Sequence, residues 1–179
     1  MPGVATVPAI VVTGTVGAGK SSVAGELQHL LGHQGIPHAG VDLDTLSECW
    51  PAPPDDPFNT RVMLKNLACV WSTYRQAGAQ RLVLAGVLEH REELDAYRRA
   101  VPGLLPVVCR LVASTPTLRQ RLSRREIGSG LAWHLARAEE LAAQLEETGL
   151  EDFVVHNESR TIQETAIEVL TRAGWLQQP

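Results

Sequence analysis

Short apolar runs rich in β-branched residues alternate along the chain with longer stretches of mixed polarity. The runs predict five strands, at residues 9–13, 38–41, 81–85, 107–112 and 153–156. The first run reads A-I-V-V-T, and an apolar segment without polar alternation is typical of a strand buried on both faces. We therefore expect a parallel sheet at the centre of the fold.

The stretches between the runs predict helices on both faces of that sheet. They fall at residues 19–31, 59–76, 89–100, 115–125 and 131–148, and a last helix starts at a capping box of Thr161 with Glu164 and ends at Gly174. Repeated strand–helix units need right-handed crossovers, so this order predicts an α/β fold. No linker or internal repeat interrupts it, and we expect a single domain over residues 1–179.

A glycine-rich loop joins the first predicted strand to the first predicted helix. Residues 14–21 read G-T-V-G-A-G-K-S and match the P-loop pattern G-x-x-x-x-G-K-[ST]. Its backbone N–H groups and the helix N-terminus bind phosphate oxygens, Lys20 adds a point charge, and the Ser21 hydroxyl is a ligand for Mg²⁺. We expect ATP and Mg²⁺ here, in contact with Gly14, Thr15, Val16, Gly17, Ala18, Gly19, Lys20, Ser21 and Ser22.

The P-loop in this setting predicts the three-layer sandwich of P-loop NTPases, with a five-stranded parallel sheet in the order 2-3-1-4-5. Two classes are excluded by missing motifs, because the chain has neither the N-K-x-D and D-x-x-G of signalling GTPases nor an acidic end to its third strand, as motor-type ATPases have. The small P-loop kinases remain as the leading class.

Two carboxylates end the second predicted strand, close to where the γ-phosphate and an acceptor would meet. Asp42 and Asp44 can divide the labour of a kinase, one deprotonating the acceptor hydroxyl and the other binding Mg²⁺. Asp42 is the favoured base and Asp44, with Ser21, the favoured metal ligand, although the spacing does not fix the assignment. In the structural alternative, Asp42 caps the next turn and Asp44 is solvated.

An arginine-rich helix lies just before a glycine-containing break at residues 126–130. Arg121, Arg124 and Arg125 are placed to bind ATP phosphates from a lid of about residues 121–135, with Arg121 and Arg125 stabilising the transferring group. After the fifth strand, Asn157 and Arg160 lie where a loop contacts the nucleotide base. Weaker candidates for the same cleft are Glu89, His134 and Arg137.

The insertion at about residues 43–77 should form the acceptor side of the cleft. The aromatic and polar candidates there are Phe58, Arg61, Lys65 and Asn66. Met63 and Trp71 stand at helical spacing that favours core positions.

The composition of the chain limits which partners and which cellular location we expect. The net charge of −4 excludes a nucleic-acid-binding surface, so positive charge must be local. Fourteen of the sixteen basic residues are Arg, which makes Lys20 stand out as a position where a compact ammonium is needed. Cys49, Cys69 and Cys109 are far apart and beside apolar residues, so we expect buried, reduced thiols. No apolar run is long enough to span a membrane, and we expect a soluble cytoplasmic protein.

With these motifs in hand, residues 8–125 resemble the adenylylsulfate kinase family. Its D-G-D is matched by residues 42–44, its ring-stacking aromatic by Phe58 and its substrate-binding Asn by Asn66. The resemblance also implies that Arg91 holds polar groups of the acceptor. The chain differs from the family at two positions: Met63 stands where the family has an Arg, and Glu89 stands where it has a Pro.

Other parts of the chain are similar to other kinases. The segment from Arg121 to Arg125 looks like the R-L-x-x-R of gluconate and shikimate kinases, and residues 40–42 resemble chloramphenicol phosphotransferase, in which the matching Asp is the base. These relatives agree on ATP, Mg²⁺ and a small acceptor.

The sequence therefore predicts an ATP-dependent kinase that phosphorylates a hydroxyl of a small molecule. A nucleoside or nucleotide kinase is the enzyme alternative, and it would rely on arginines such as Arg61 more than on a base. A nucleotide-binding regulatory protein without an acceptor is the alternative from another class. The acceptor and the oligomeric state stay open, with a homodimer as one option.

Overall fold

The computed structural model describes residues 5–125 and 129–176, with the side chains of 125, 129 and 130 left aside. Strands and helices follow each other in the order β1 Val7–Gly14, α1 Lys20–His33, β2 His38–Asp42, α2 Leu43–Leu46, α3 Thr60–Gln76, β3 Arg81–Ala85, α4 Arg91–Ala100, β4 Leu104–Val112, α5 Thr115–Arg125, α6 Ser129–Thr148, β5 Phe153–His156 and α7 Ile162–Arg172.

The described strands form one sheet in the order β2-β3-β1-β4-β5. Every neighbouring pair is parallel, with β1 at the centre between β3 and β4. The predicted α/β sandwich, its strand order and its parallel sheet are therefore confirmed. All five carboxyl ends point to one edge, where the P-loop and the two aspartates follow β1 and β2.

Successive residues of the central strand face two separate cores. Ile10 and Val12 pack with apolar residues of α1 and α7, whereas Ala9 and Val11 pack on the opposite side with apolar residues of α3 and α4. Because β1 is covered on both sides, its residues are apolar at consecutive positions, as the sequence pattern indicated. Met63 and Trp71 are both buried in the second core, as predicted.

Three details differ from the sequence-based expectation. The strand β4 begins at Leu104, because residues 104–106 pair with the start of β1 although Pro106 interrupts the β pattern. A short helix, α2, follows β2 directly, capped by Asp42. The expectation of buried thiols is wrong for Cys49 and Cys69, which are exposed, and right for Cys109. Burial raises the pKa of the Cys109 thiol to about 12.

None of the helices in the described part of the chain combines the length and the apolar character needed to cross a membrane.

Candidate active site

The P-loop wraps around the start of α1. Gly14, Gly17 and Gly19 have positive φ angles, which let the backbone curl around a central space. Gly19 is the N-cap of α1 and provides no side-chain acceptor for the first N–H groups of the helix. Those N–H groups and the helix dipole form an anion-binding cradle.

Lys20 lies across this loop and is largely buried. Its Nζ donates to the backbone oxygens of Gly14 at 3.1 Å and of Thr15 at 3.2 Å. An ammonium held in this way can turn toward phosphate oxygens with little movement of the chain. The predicted position of the phosphate-binding charge is thus consistent with the geometry.

The loop after β5 is fastened to the P-loop by the side chain of Asn157. Its Nδ2 donates to the Ala18 oxygen at 2.7 Å, and its Oδ1 accepts from the Thr165 hydroxyl at 3.1 Å. A Cβ on Gly19 would lie 2.5 Å from this Nδ2, so only glycine fits there. Sequence reasoning placed Asn157 near the nucleotide base but did not find this positioning contact, because it joins residues 139 positions apart.

The arginines predicted for the nucleotide site lie in different surroundings. Arg121 donates to the backbone oxygens of Gly17 and Ala18, both at 3.3 Å, and also to the oxygen of Asn157. Arg124 is exposed on α5, and the side chain of Arg125, like residues 126–128 of the predicted lid, lies outside the described residues. Arg160 pairs with Glu168 at 2.5 Å and is not among the described residues that line the cavity below.

The two aspartates after β2 have distinct partners. The Ser21 hydroxyl donates to Asp42 Oδ2 at 2.6 Å, and Asp42 Oδ1 accepts from the backbone N–H of Asp44 at 3.0 Å as the N-cap of α2. Asp42 therefore caps α2, as the structural alternative expects. Asp44, two residues further on in α2, is exposed and lines the cleft.

A cavity of about 610 Å³ extends from the P-loop to the helix α6. The residues around it come from the P-loop and the start of α1, from α2 and the loop after β3, from α5 and α6, and from the loop after β5 and the start of α7. Lining residues that bear on the chemistry are Lys20, Ser21, Ser22, Asp44, Glu89, Arg121, Trp133, His134, Arg137, Asn157 and Ile162. Its size is that of a cavity for a drug-sized ligand.

The helix α6 closes the far side of this cavity through two contacts. Thr15 of the P-loop donates its hydroxyl to the Ala138 oxygen at 2.8 Å. Arg137 pairs with Glu89 at 2.7 Å, across the mouth between α6 and the loop after β3. The weaker sequence candidates Glu89, His134 and Arg137 are thus brought to the cleft, and α6 contacts the P-loop directly.

A second, smaller cavity of about 150 Å³ adjoins the first. Its described lining is Leu43, Asp44, Ser47, Phe58, Thr60, Met63, Val87, Glu93 and Tyr97. Asp44 and Val87 line both cavities, so the two spaces adjoin at these residues. Phe58 is 84% exposed at the entrance of this cavity, whereas a Phe side chain is usually buried.

The other predicted acceptor residues lie outside the described lining of both cavities. Arg61 pairs with Asp55 at 2.6 Å, and this hydrogen bond lowers the pKa of the Asp55 carboxyl. Asn66 donates to the Leu46 oxygen at 2.9 Å, and Arg91 is exposed at the start of α4.

Two residues of α4 that the sequence did not single out line the small cavity. Burial raises the pKa of the Glu93 carboxyl above its ordinary value, against the effect of backbone N–H groups that bond to it. Burial also raises the pKa of the Tyr97 hydroxyl, and the negative charges of Glu93 and Asp44 add to that effect. Their signal in the sequence is only the helical spacing of i and i+4.

The fold is similar to those of several known proteins. An APS kinase from Mycobacterium tuberculosis, solved in complex with AMPPNP and APS, is 23% identical, with a TM-score of 0.61 over 93% of this chain and 96% of that chain. A gluconokinase from Sinorhizobium meliloti 1021 is 22% identical, with a TM-score of 0.57 over 93% and 91%. A tunicamycin resistance protein from Deinococcus radiodurans is 16% identical, with a TM-score of 0.61 over 97% and 99%.

These similarities extend over nearly the whole length of each protein and establish a P-loop kinase fold. No curated protein matches the sequence significantly. The model of the family described as "AAA domain" matches residues 10–148, which is more than half of the chain. The chain therefore belongs to the AAA domain family.

Proposed function

We propose that this protein is a kinase that transfers the γ-phosphate of ATP to a hydroxyl group of a small acceptor. The observation that carries this proposal is the meeting of two cavities at Asp44. One contains the P-loop and is large enough for a nucleotide, and the other is small and partly apolar. Phosphoryl transfer needs this arrangement, because the donor and the acceptor must approach each other at a basic group.

The nucleotide would lie in the larger cavity with its phosphates in the P-loop. Backbone N–H groups at the start of α1 and the Lys20 ammonium would neutralise phosphate charge. The Arg121 guanidinium already contacts the loop, and Ile162 offers an apolar surface beside Asn157 for a base. ATP as the donor also supports a cytoplasmic location.

The residues at the loop fit Mg²⁺. Ser21 and Asp42 present a hydroxyl and a carboxylate 2.6 Å apart, and both are the hard oxygen ligands that Mg²⁺ takes. When bound, the ion would supply charge neutralisation on the phosphates. This pair, rather than Asp44, is our proposed metal-binding set.

Asp44 is our proposed base, in place of Asp42. Both oxygens of Asp42 accept hydrogen bonds from Ser21 and the start of α2, and Asp42 is not among the described residues lining either cavity. The Asp44 carboxylate would accept the proton of the acceptor hydroxyl. The oxygen of the acceptor hydroxyl then forms the new bond to the γ-phosphorus. The bond from the γ-phosphorus to the β–γ bridging oxygen breaks, and ADP leaves.

The guanidinium of Arg137, on α6, would stabilise the charge of the transferred phosphoryl group. Arg137 lines the larger cavity and pairs with Glu89 at the mouth. Exchange of this partner for a phosphate oxygen would bring its charge to the reaction without a large movement of α6.

The function is tested by ADP release from ATP over a panel of sugars, cyclitols, nucleosides and their phosphates, with the product identified by phosphorus NMR. We expect one chemical class to yield a phosphate ester, and Lys20→Ala to weaken nucleotide binding and turnover together. Transfer to a phosphate group instead of a hydroxyl would favour a nucleotide kinase. Tight ATP binding with no product from any class would favour a regulatory protein and contradict the proposal.

A further inference from the structure

The small cavity has a charge character that narrows the acceptor, given the proposed function. Among its described lining residues the charged groups are Asp44 and Glu93, and none is Lys, Arg or His. An anionic acceptor would bring a like charge beside the Glu93 carboxylate, in a cavity whose described lining includes no basic side chain, which is unfavourable.

The basic residues that could have served an anion are placed elsewhere. Arg61 is paired with Asp55, outside the described lining of the cavity, and Arg91 is exposed. Met63, a buried residue of α3, lines the cavity. The side of the cavity formed by α3 is therefore uncharged.

Glu93 is held in place for a ligand by its own helix. Its Oε1 accepts the backbone N–H groups of Glu89 at 2.9 Å and of His90 at 2.8 Å. These bonds form the capping box of α4 and fix the direction of the carboxylate. Both of these bonds go to Oε1, and among the described residues Oε2 has no hydrogen-bond partner, which leaves it for a donor group of a ligand.

Aromatic and apolar surfaces complete the cavity. Phe58 stands at its entrance and Tyr97 at its base, and a ring face attracts a cation through its quadrupole. Met63 and Val87 provide contacts for a carbon skeleton. A space of about 150 Å³ accommodates a group the size of a six-membered ring.

We propose that the acceptor is a small alcohol carrying a protonated amine, of the amino sugar or aminocyclitol class. Glu93 Oε2 binds the ammonium group near the ring of Phe58, and a hydroxyl of the same molecule points to Asp44. Glu93 is thus a specificity residue, and the positive charge of the substrate offsets the charge of its carboxylate.

Two matched series of compounds test this assignment. Glucosamine, glucose and gluconate share a six-carbon skeleton, and streptamine, inositol and quinate share a six-membered carbocycle; each series runs from cationic through neutral to anionic. We expect the amine of at least one series to show the highest kcat/KM for ADP release, about tenfold or more above its neutral counterpart. A neutral or anionic member preferred in both series would overturn the inference while leaving the kinase function intact.

The variant Glu93→Gln separates charge from fold, because its amide oxygen still accepts the two N–H groups of the capping box. We expect its KM for the amine to rise about tenfold while kcat and the KM of the neutral counterpart change less than about twofold. Glu92→Gln removes the same charge from the same turn of α4 at an exposed position outside the described lining, and is the matched control. An equal effect of both variants would contradict a direct contact with Glu93.

Calorimetry with the complex of a non-hydrolysable ATP analogue makes the binding claim independent of turnover. If the amine binds and Glu93→Gln weakens this binding, the inference is supported, even where no ADP is released. The absence of ADP release would then count against the kinase function alone. Absence of amine binding, or binding unchanged in Glu93→Gln, overturns the inference.

Discussion

Replacing Asn157 by alanine tests whether this side chain holds the P-loop in its binding conformation. The substitution removes a hydrogen bond to the Ala18 oxygen at 2.7 Å and another from the Thr165 hydroxyl at 3.1 Å. The residue is 4% exposed, so water does not readily replace them. Thr165 keeps its bond to the Thr161 oxygen and Ala18 keeps that from Arg121, which limits the loss.

The magnitude follows from those two bonds. Each contributes about 1 kcal/mol net, and the deleted buried atoms add up to about 1 kcal/mol more. We expect Asn157→Ala to lower the free energy of unfolding by about 2–3 kcal/mol, which for a chain of this length lowers Tm by about 4–12 °C. Because the P-loop loses its support, affinity for an ATP analogue should fall several-fold as well.

Urea unfolding, thermal scans and calorimetric titration of the analogue measure the two effects. Asn66→Ala is the matched control, because it removes a single exposed hydrogen bond to the Leu46 oxygen and should cost less than about 1 kcal/mol. A stability change below about 0.5 kcal/mol in Asn157→Ala, together with unchanged nucleotide affinity, would refute the positioning role.

Three further outcomes are expected. Gly19→Ala, which places a Cβ 2.5 Å from Asn157 Nδ2 at a φ of 94°, should abolish nucleotide binding in a calorimetric titration while the protein still shows cooperative unfolding. Arg110→Ala leaves the nearly buried Glu151 without its partner at 2.8 Å and should cost about 3 kcal/mol in urea unfolding, and a loss below about 1 kcal/mol would contradict this. The hydrogen bond from the Ser114 backbone N–H lowers the pKa of Glu158 below its ordinary 4.5, so its contribution is present above that pH and is lost as the pH falls through the lowered pKa. The stability difference between the wild type and Glu158→Gln should therefore shrink as the pH falls below 4.5, and a difference that stays constant there would contradict the assignment.

Local signals in the sequence sufficed for the sheet and the nucleotide loop. Consecutive apolar residues such as Ile10 and Val11 predict a doubly covered strand, because each residue must face one of two cores. The P-loop is contiguous, so its spacing alone fixes its geometry. The strand order 2-3-1-4-5 belongs to the fold class that the P-loop predicts, and the sheet has that order.

Contacts across long sequence separations could not be read in advance. Asn157 reaches Ala18 and Thr15 reaches Ala138 only after α6 and β5 are packed. The exposure of Cys49 and Cys69 also depends on tertiary packing, because an apolar neighbour in sequence does not bury a residue. Glu93 is an ordinary helix-start acid in the sequence, and only the cavity beside it gives it a role in the proposed site.

In the proposed mechanism Asp44 is the base and Asp42 a metal ligand, and a matched pair of variants separates these two roles. Asp44→Asn removes the proposed base. Asp42→Asn weakens the proposed metal set, while its side-chain oxygen can still cap α2 as asparagine does at helix starts. Both variants should bind an ATP analogue, which separates chemistry from nucleotide binding.

The most direct measurement is the single-turnover rate of phosphate transfer to the best acceptor of the panel, followed in both variants over a range of Mg²⁺ concentrations. We predict that Asp44→Asn slows transfer by about 10²- to 10⁴-fold at every Mg²⁺ concentration, and that Asp42→Asn raises the Mg²⁺ concentration needed for half the maximal rate. The opposite result would contradict the assignment and make Asp42 the base. In that result Asp44→Asn transfers phosphate at a near-normal rate, and Asp42→Asn loses most of its rate at every Mg²⁺ concentration.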